Sequence, residues 1–125
     1  MAKSTVPFQT TTRDGVPEVS CKELYRCIEL ASEGAIRLID VRRPDEFAGE
    51  LGHIEGAQLK TLGPDLSAYL ETADKDAVTV FICRSGARSA AATLEARQLG
   101  IFNSFNMIGG MLQWNADQFE VKKGR

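Results

Sequence analysis

Apolar residues arrive along this 125-residue chain in short blocks separated by polar turns. Ile36-Arg37-Leu38-Ile39-Asp40-Val41 and Val78-Thr79-Val80-Phe81-Ile82 are compact and β-branched, as buried strands are. Residues 102–108 hold another such block. Shorter strands are predicted at 57–59 and at 16–19, where Pro17 suits a sheet edge. The intervening stretches carry helical spacing. Ser20-Cys21-Lys22-Glu23 has the form of a capping box, Leu24, Cys27, Ile28 and Ala31 follow on one face, and Gly34 sits where a helix ends. Pro44 can open a short helix over PDEFAGEL. Leu66, Tyr69 and Leu70 mark a second, and the alanine-rich run ARSAAATLEARQL a third, closed by Gly100. Gly109-Gly110 makes a turn, and Met111, Leu112, Trp114 and Phe119 suit a last helix. Five strands alternating with helices predict a three-layer α/β fold, with a central five-stranded, mainly parallel sheet flanked by helices. Residues 1–15 are expected to be a flexible N-terminal tail, 16–120 the domain and 121–125 a C-terminal tail.

Composition narrows the class. The chain is 43% hydrophobic and 26% charged, ordinary for a globular domain. A net charge of −2 leaves no footprint for nucleic acid or an anionic membrane. No apolar run approaches the ~20 residues of a membrane span, and MAKSTVPFQTTTRDG lacks the apolar core of a secretory signal. Three cysteines without a C-x-x-C pair argue against a disulfide framework or a zinc site. A reducing, cytoplasmic setting is expected, with no metal and no cofactor.

The chemistry concentrates at Val78–Ser89. A buried strand runs into Cys83-Arg84-Ser85-Gly86-Ala87-Arg88-Ser89, and a helix follows at once. In an open α/β sheet such a turn lies at the carboxyl edge, where ligands bind. Cysteine reacts as its thiolate, and at a pKa of ~8.5 only about 3% is ionised at pH 7. A two-unit fall needs ~2.7 kcal/mol, more than the 0.3–1 kcal/mol typical of a helix dipole. Opposite charge within ~4–6 Å supplies 1–3 units, so Arg84 and Arg88 are the candidates, aided by a nest of backbone N–H groups curling at Gly86. The loop reads as an anion cradle with a nucleophile at its floor. Four residues separate Cys83 from Arg88. Cysteine phosphatases have five, so this ring is tighter and better matched to one extra sulfur than to phosphate.

These residues resemble the active-site loop of a single-domain rhodanese, a thiosulfate sulfurtransferase. So do Leu38-Ile39-Asp40-Val41-Arg42 with Glu46-Phe47, Gly52-His53-Ile54-Glu55-Gly56-Ala57, and Gly109-Gly110 with Trp114. The four matches run in order across residues 18–118. The resemblance implies a double displacement. Cys83 would take the outer sulfur of thiosulfate as a persulfide, sulfite would leave, and cyanide or a small or protein thiol would accept the sulfur. Arg84 and Arg88 would hold the donor, and the amides from Arg84 through Ser85, Gly86, Ala87 and Arg88 to Ser89 the persulfide. Relatives often have Asn where this chain has Leu59. Sulfurtransferases that prefer mercaptopyruvate resemble Cys-Gly-Ser-Gly-Val-Thr in this loop, so the two arginines favour thiosulfate. A monomer or weak dimer is expected. Two other functions fit the loop less closely: a sulfur-carrier or interaction module with a protein acceptor, and a small cysteine phosphatase or arsenate reductase.

Each residue also has a plainer role to weigh. Cys83 could be a small buried hydrophobe, and the arginines solvated charge. Asp40 fits a structural pair with Arg42 better than a general acid. His53, among glycines, fits a loop-fixing hydrogen bond. Cys21 and Cys27, six apart on a helix, would not share a face and do not read as resolving thiols. Trp114 reads as core beneath the double glycine.

Overall fold

A computed structural model of the chain describes residues 6–124. Its elements are, in order, β1 (Thr11–Arg13), β2 (Val16–Val19), α1 (Cys21–Arg26), α2 (Ile28–Ser32), β3 (Ile36–Asp40), α3 (Pro44–Phe47), β4 (Gln58–Leu59), α4 (Pro64–Thr72), β5 (Val78–Ile82), α5 (Ala87–Gln98), β6 (Ser104–Met107) and α6 (Gly110–Ala116). The strands form one sheet in the order β1-β2-β6-β5-β3-β4. All neighbours are parallel except β1 and β2. The three-layer α/β expectation holds, with six strands rather than five.

The sixth strand is β1, in a stretch expected to be a loose tail. Asp14-Gly15 turns the chain with both φ positive, 53° and 79°, as a tight two-residue hairpin requires. This places β2 inside the sheet and leaves β1 at the edge. Pro17 is tolerated because β6 pairs only with Glu18 and Val19. Phe8 is buried, its ring edge-on to Phe105 at 5.2 Å. The first five residues of the expected N-terminal tail, and Arg125 of the C-terminal one, lie outside the described residues. Lys122, also assigned to a tail, exchanges two backbone hydrogen bonds of 2.8 Å with His53.

One helix predicted from Ser20 to Gly34 is two. Ser20 caps α1 by accepting from the Glu23 N–H at 3.1 Å. Glu23 does not complete a box; its carboxylate takes the Gln9 N–H and Arg26. At Cys27 the backbone N–H bonds back three residues to Leu24 and the thiol reaches the Pro7 carbonyl, so the helix breaks.

Period-two alternation splits β5 between two cores. Val78, Val80 and Ile82 pack with Leu24, Leu38, Met111 and Trp114 on one face. Phe81 and Cys83 pack with Ile39, Leu66, Ala92 and Ala96 on the other, under α4 and α5. Burial on both faces explains why β5 is apolar at every position but Thr79. The end of β5 is fixed by α6: the N–H of Met111 donates to the Cys83 carbonyl at 2.8 Å and that of Leu112 to the Arg84 carbonyl at 3.0 Å. Gly110, at φ 59°, makes this approach possible, since a β-carbon there would stand 2.5 Å from both carbonyl oxygens.

Gly110→Ala combines a left-handed backbone with that clash. It should destabilise the fold by roughly 2–5 kcal/mol and slow alkylation of Cys83 by displacing its loop. Urea unfolding and iodoacetamide rates check this; a variant as stable as wild type would remove the packing role given to Gly110.

Candidate functional site

Strand β5 ends in mid-sheet between β3 and β6, so the next residue leaves the sheet among its carboxyl edges. That residue is Cys83, and the chain curls through Arg84, Ser85 and Gly86 into α5. Gly86 takes φ 110° and ψ −9°, a left-handed conformation that turns its N–H back toward the sulfur. The Gly86 N–H donates to Cys83 Sγ at 3.0 Å, and the Ser89 hydroxyl lies 3.2 Å from the same sulfur. The loop's outward carbonyls, those of Cys83 and Arg84, are already taken by α6, which leaves its amides facing inward. Cys83 is 1% exposed, so the sulfur lies at the floor of the curl.

Burial pushes the Cys83 thiol up, but the Ser89 hydroxyl and the backbone N–H groups of Ser89, Gly86 and Ser85 outweigh it. Its pKa falls below the ordinary thiol value. Of the contributions the sequence suggested, the hydrogen bonds to the charged form lead, ahead of the arginines. Arg88 feels the charge of Cys83 only after that of a nearer partner. That partner is Glu46 at the start of α3, which binds the Arg88 guanidinium through two bonds of 2.7 and 2.9 Å. Arg88 holds Glu46 down to about 2, against burial that opposes ionisation. Arg88 is therefore held by Glu46, and among the described residues its other N–H groups carry no further hydrogen bond. Arg84 is exposed and lines a cleft of about 340 Å³ with Asp45, Glu46, Gly49 and Glu50. Ser85 and Ala87 are exposed on the rim, and Ser89 is fully buried.

Asp40 and Arg42 form the structural pair the sequence suggested. Arg42 Nη2 donates to Asp40 Oδ2 at 2.7 Å and Nε to Oδ1 at 2.9 Å, with both side chains buried. Arg42 also donates to the carbonyls of Glu46 and Gly52, so it ties the end of β3 to α3 and to the loop after it. Removing one partner would leave a buried charge unpaired, at a cost of about 3–5 kcal/mol. His53 fixes that loop: Nδ1 lies 2.9 Å from the Phe47 carbonyl and the ring stacks on Phe47 at 3.8 Å. Neither Asp40 nor His53 has a hydrogen bond to Cys83. Cys21 is buried, and desolvation with the nearby Asp117 charge pushes its thiol up to about 12, the opposite of a reactive cysteine. Trp114 is core, with its N–H donated to the Glu120 carbonyl.

Sequence reasoning gave no role to three carboxylate and amide groups, although Glu46 was among the residues that carried the resemblance. Glu46 sits in the first turn of a proline-started helix at the active edge, where an acidic residue reads as a simple helix-end charge. Asn106 lies inside a strand among Phe105 and Met107, and Glu18 lies between Pro17 and Val19. A polar residue inside an otherwise apolar strand was the available signal. Both are buried, and Asn106 Oδ1 accepts from Ser89 at 2.5 Å.

The rhodanese-like domain family matches residues 23–117. Over 102 residues the chain is 38% identical to the Bacillus subtilis protein named "Putative sulfurtransferase YtwF", covering 82% of this chain and 93% of that one. It is 34% identical over 85 residues to the thiosulfate sulfurtransferase GlpE of Pseudomonas fluorescens, covering 68% of this chain and 74% of that one. The crystal structure of a rhodanese-related protein from Thermoplasma volcanium superposes with a TM-score of 0.66 at 27% identity, covering 82% and 94%.

The Glu46–Arg88 pair has a pH signature. Its folded pKa lies below the ordinary 4.5, so the stability it adds is full above that value and is lost as pH falls toward about 2. Glu46→Gln should cost roughly 1–2 kcal/mol at neutral pH, allowing for the solvent that reaches Arg88. It should also flatten the acid limb between pH 4.5 and 2 in thermal unfolding. Parallel acid limbs in the two proteins would contradict the pairing.

Proposed function

The chain belongs to the rhodanese-like domain family, and we propose that it is a sulfurtransferase moving the outer sulfur of thiosulfate to cyanide or a thiol through Cys83. The observation that carries this reading is the Cys83 sulfur bonded by the Gly86 amide at the floor of a loop with four residues between Cys83 and Arg88, one fewer than in cysteine phosphatases. The names of YtwF and GlpE support it.

Cys83 attacks the outer sulfur of thiosulfate as a thiolate. The sulfur–sulfur bond breaks, sulfite leaves with its electron pair, and Cys83 becomes a persulfide. The amides of Ser85, Gly86 and Ser89, already placed for one sulfur anion, stabilise the charge on the second. Sulfite needs no proton to leave, which suits a site where, among the described residues, no acid is bonded to the sulfur. Cyanide or a thiolate then attacks the terminal sulfur, and the Cys83 thiolate returns. Arg84, exposed at the mouth, draws the donor dianion in. Arg88, steadied by Glu46, presents its remaining N–H groups to the sulfonate oxygens.

Incubation with thiosulfate should add the mass of one sulfur atom to wild type and none to Cys83→Ser, with thiocyanate formed only by wild type. Arg88→Ala should lower kcat/KM for thiosulfate roughly tenfold to a hundredfold. Thiocyanate formation by Cys83→Ser would overturn the mechanism. A stable persulfide with negligible turnover to cyanide would shift the acceptor to a partner protein. Release of phosphate from an aryl phosphate with a trapped phosphocysteine would overturn the choice of donor.

A further inference from the structure

The sulfur has a second connection, leading away from Arg88 and Glu46. Glu18 on β2 and Asn106 on β6 are register partners on neighbouring strands, and they share the face that lies under α5. Asn106 Nδ2 lies 3.3 Å from Glu18 Oε2, Asn106 Oδ1 lies 2.5 Å from Ser89 Oγ, and Ser89 Oγ lies 3.2 Å from Cys83 Sγ. Glu18, Asn106 and Ser89 are 7%, 3% and 0% exposed, so water does not replace these bonds. At the outer end, Arg13 Nε lies 3.4 Å from Glu18 Oε1. Arg13 and Glu18 line a cleft of about 410 Å³ that also touches Ser85 and Gly86 of the Cys83 loop. We propose that Glu18 and Asn106 are positioning residues for the nucleophile: together they fix the direction of the Ser89 hydroxyl, and so hold back the Cys83 sulfur until an anion forms on it.

The direction follows from what each group can donate. Glu18, paired with Arg13, is a carboxylate and only accepts. Asn106 must therefore turn its NH₂ toward Glu18 and its carbonyl oxygen toward Ser89. A carbonyl oxygen only accepts, so Ser89 must donate its single hydroxyl proton there. That leaves Ser89 only lone pairs for the sulfur, an arrangement that suits S–H and opposes S⁻. When Cys83 ionises or carries a persulfide, the hydroxyl turns to the sulfur and Asn106 loses its donor. The relay sets the threshold for this turn. The other charges bearing on the site are Arg84 in the Cys83 loop itself, Arg88 from α5, with Glu46 of α3 and Asp40 of β3 acting on it, and Asp14 at the rim of the cleft.

This inference rests on Cys83 being the nucleophile, but its test needs no thiosulfate. The pH dependence of iodoacetamide alkylation at Cys83, followed by peptide mass, reads the ionisation directly. Asn106→Ala frees the hydroxyl for sulfur, so the midpoint should fall by roughly one pH unit. Ser89→Ala removes the hydroxyl and should raise it. In the Ser89→Ala background, adding Asn106→Ala should change nothing further, because the two act through one proton. Glu18→Gln keeps the size of the side chain and lets the Asn106 amide turn over, so its midpoint should also fall; it serves if Asn106→Ala does not fold. An unchanged or raised midpoint in Asn106→Ala, or additive shifts in the double variant, would overturn the relay. So would an unchanged Glu18→Gln. Failure of thiosulfate to load Cys83 would touch the donor assignment and leave these midpoints as they are.

Discussion

A peptide N–H aimed at a sulfur atom is the contact on which this structure turns. For the Gly86 amide to reach Cys83 Sγ at 3.0 Å, the loop must curl inward and its carbonyls must find partners elsewhere. The first turn of α6 supplies them through Met111 and Leu112. The amide cradle and the last helix are therefore one construction. Neither could be placed without the other, although more than twenty residues separate them in the chain.

Two carboxylates flank this cradle, and they act in opposite ways. Glu46 binds Arg88 and holds a cation near the sulfur, yet its own charge cancels much of the field that the guanidinium would exert there. A helix dipole contributes 0.3–1 kcal/mol, and a neutralised ion pair adds little to it. Direct hydrogen bonds to a charged acceptor contribute about 1.5–3 kcal/mol each. The balance falls to the amides and the Ser89 hydroxyl. Glu18, on the far side, reaches the sulfur only through Asn106 and Ser89, and so bears on which bonds that hydroxyl can make.

Much of this was legible in the sequence because local signals and burial agreed. The run Val78–Ile82 carries apolar residues on both faces, with Thr79 the one polar position, because both faces are covered, and Cys83 to Ser89 is contiguous, so its geometry follows from one strand, one glycine and one helix. The Asp40–Arg42 pair was legible for the same reason of proximity. What was not legible depends on distance along the chain. Glu46 meets Arg88 across 42 residues and Asn106 meets Glu18 across 88. No local pattern encodes either meeting. Residues 11–13 looked like tail because all three are exposed, and an edge strand of exposed residues has no apolar period to read. The helix breaks at Cys27, whose thiol meets the Pro7 carbonyl 20 residues back, a contact likewise beyond local reach.

The size of the anion ring is likewise not a property of its own seven residues. Loop length sets an upper bound, and four residues between Cys83 and Arg88 make that bound small. The ring could still open if its outer side were free. It is not: Gly110 lies so close to the Cys83 and Arg84 carbonyls that a single β-carbon would not fit. On the other flank, Glu46 holds Arg88 by both of its terminal nitrogens. A ring braced on both sides cannot widen to wrap a larger tetrahedral anion without disturbing α6 or α3. Under the proposed function, a preference for a sulfur atom over a phosphoryl group would rest on rigidity as much as on spacing. Gly110 thus shapes the Cys83 loop from outside it, by letting the first turn of α6 close on two of its carbonyls.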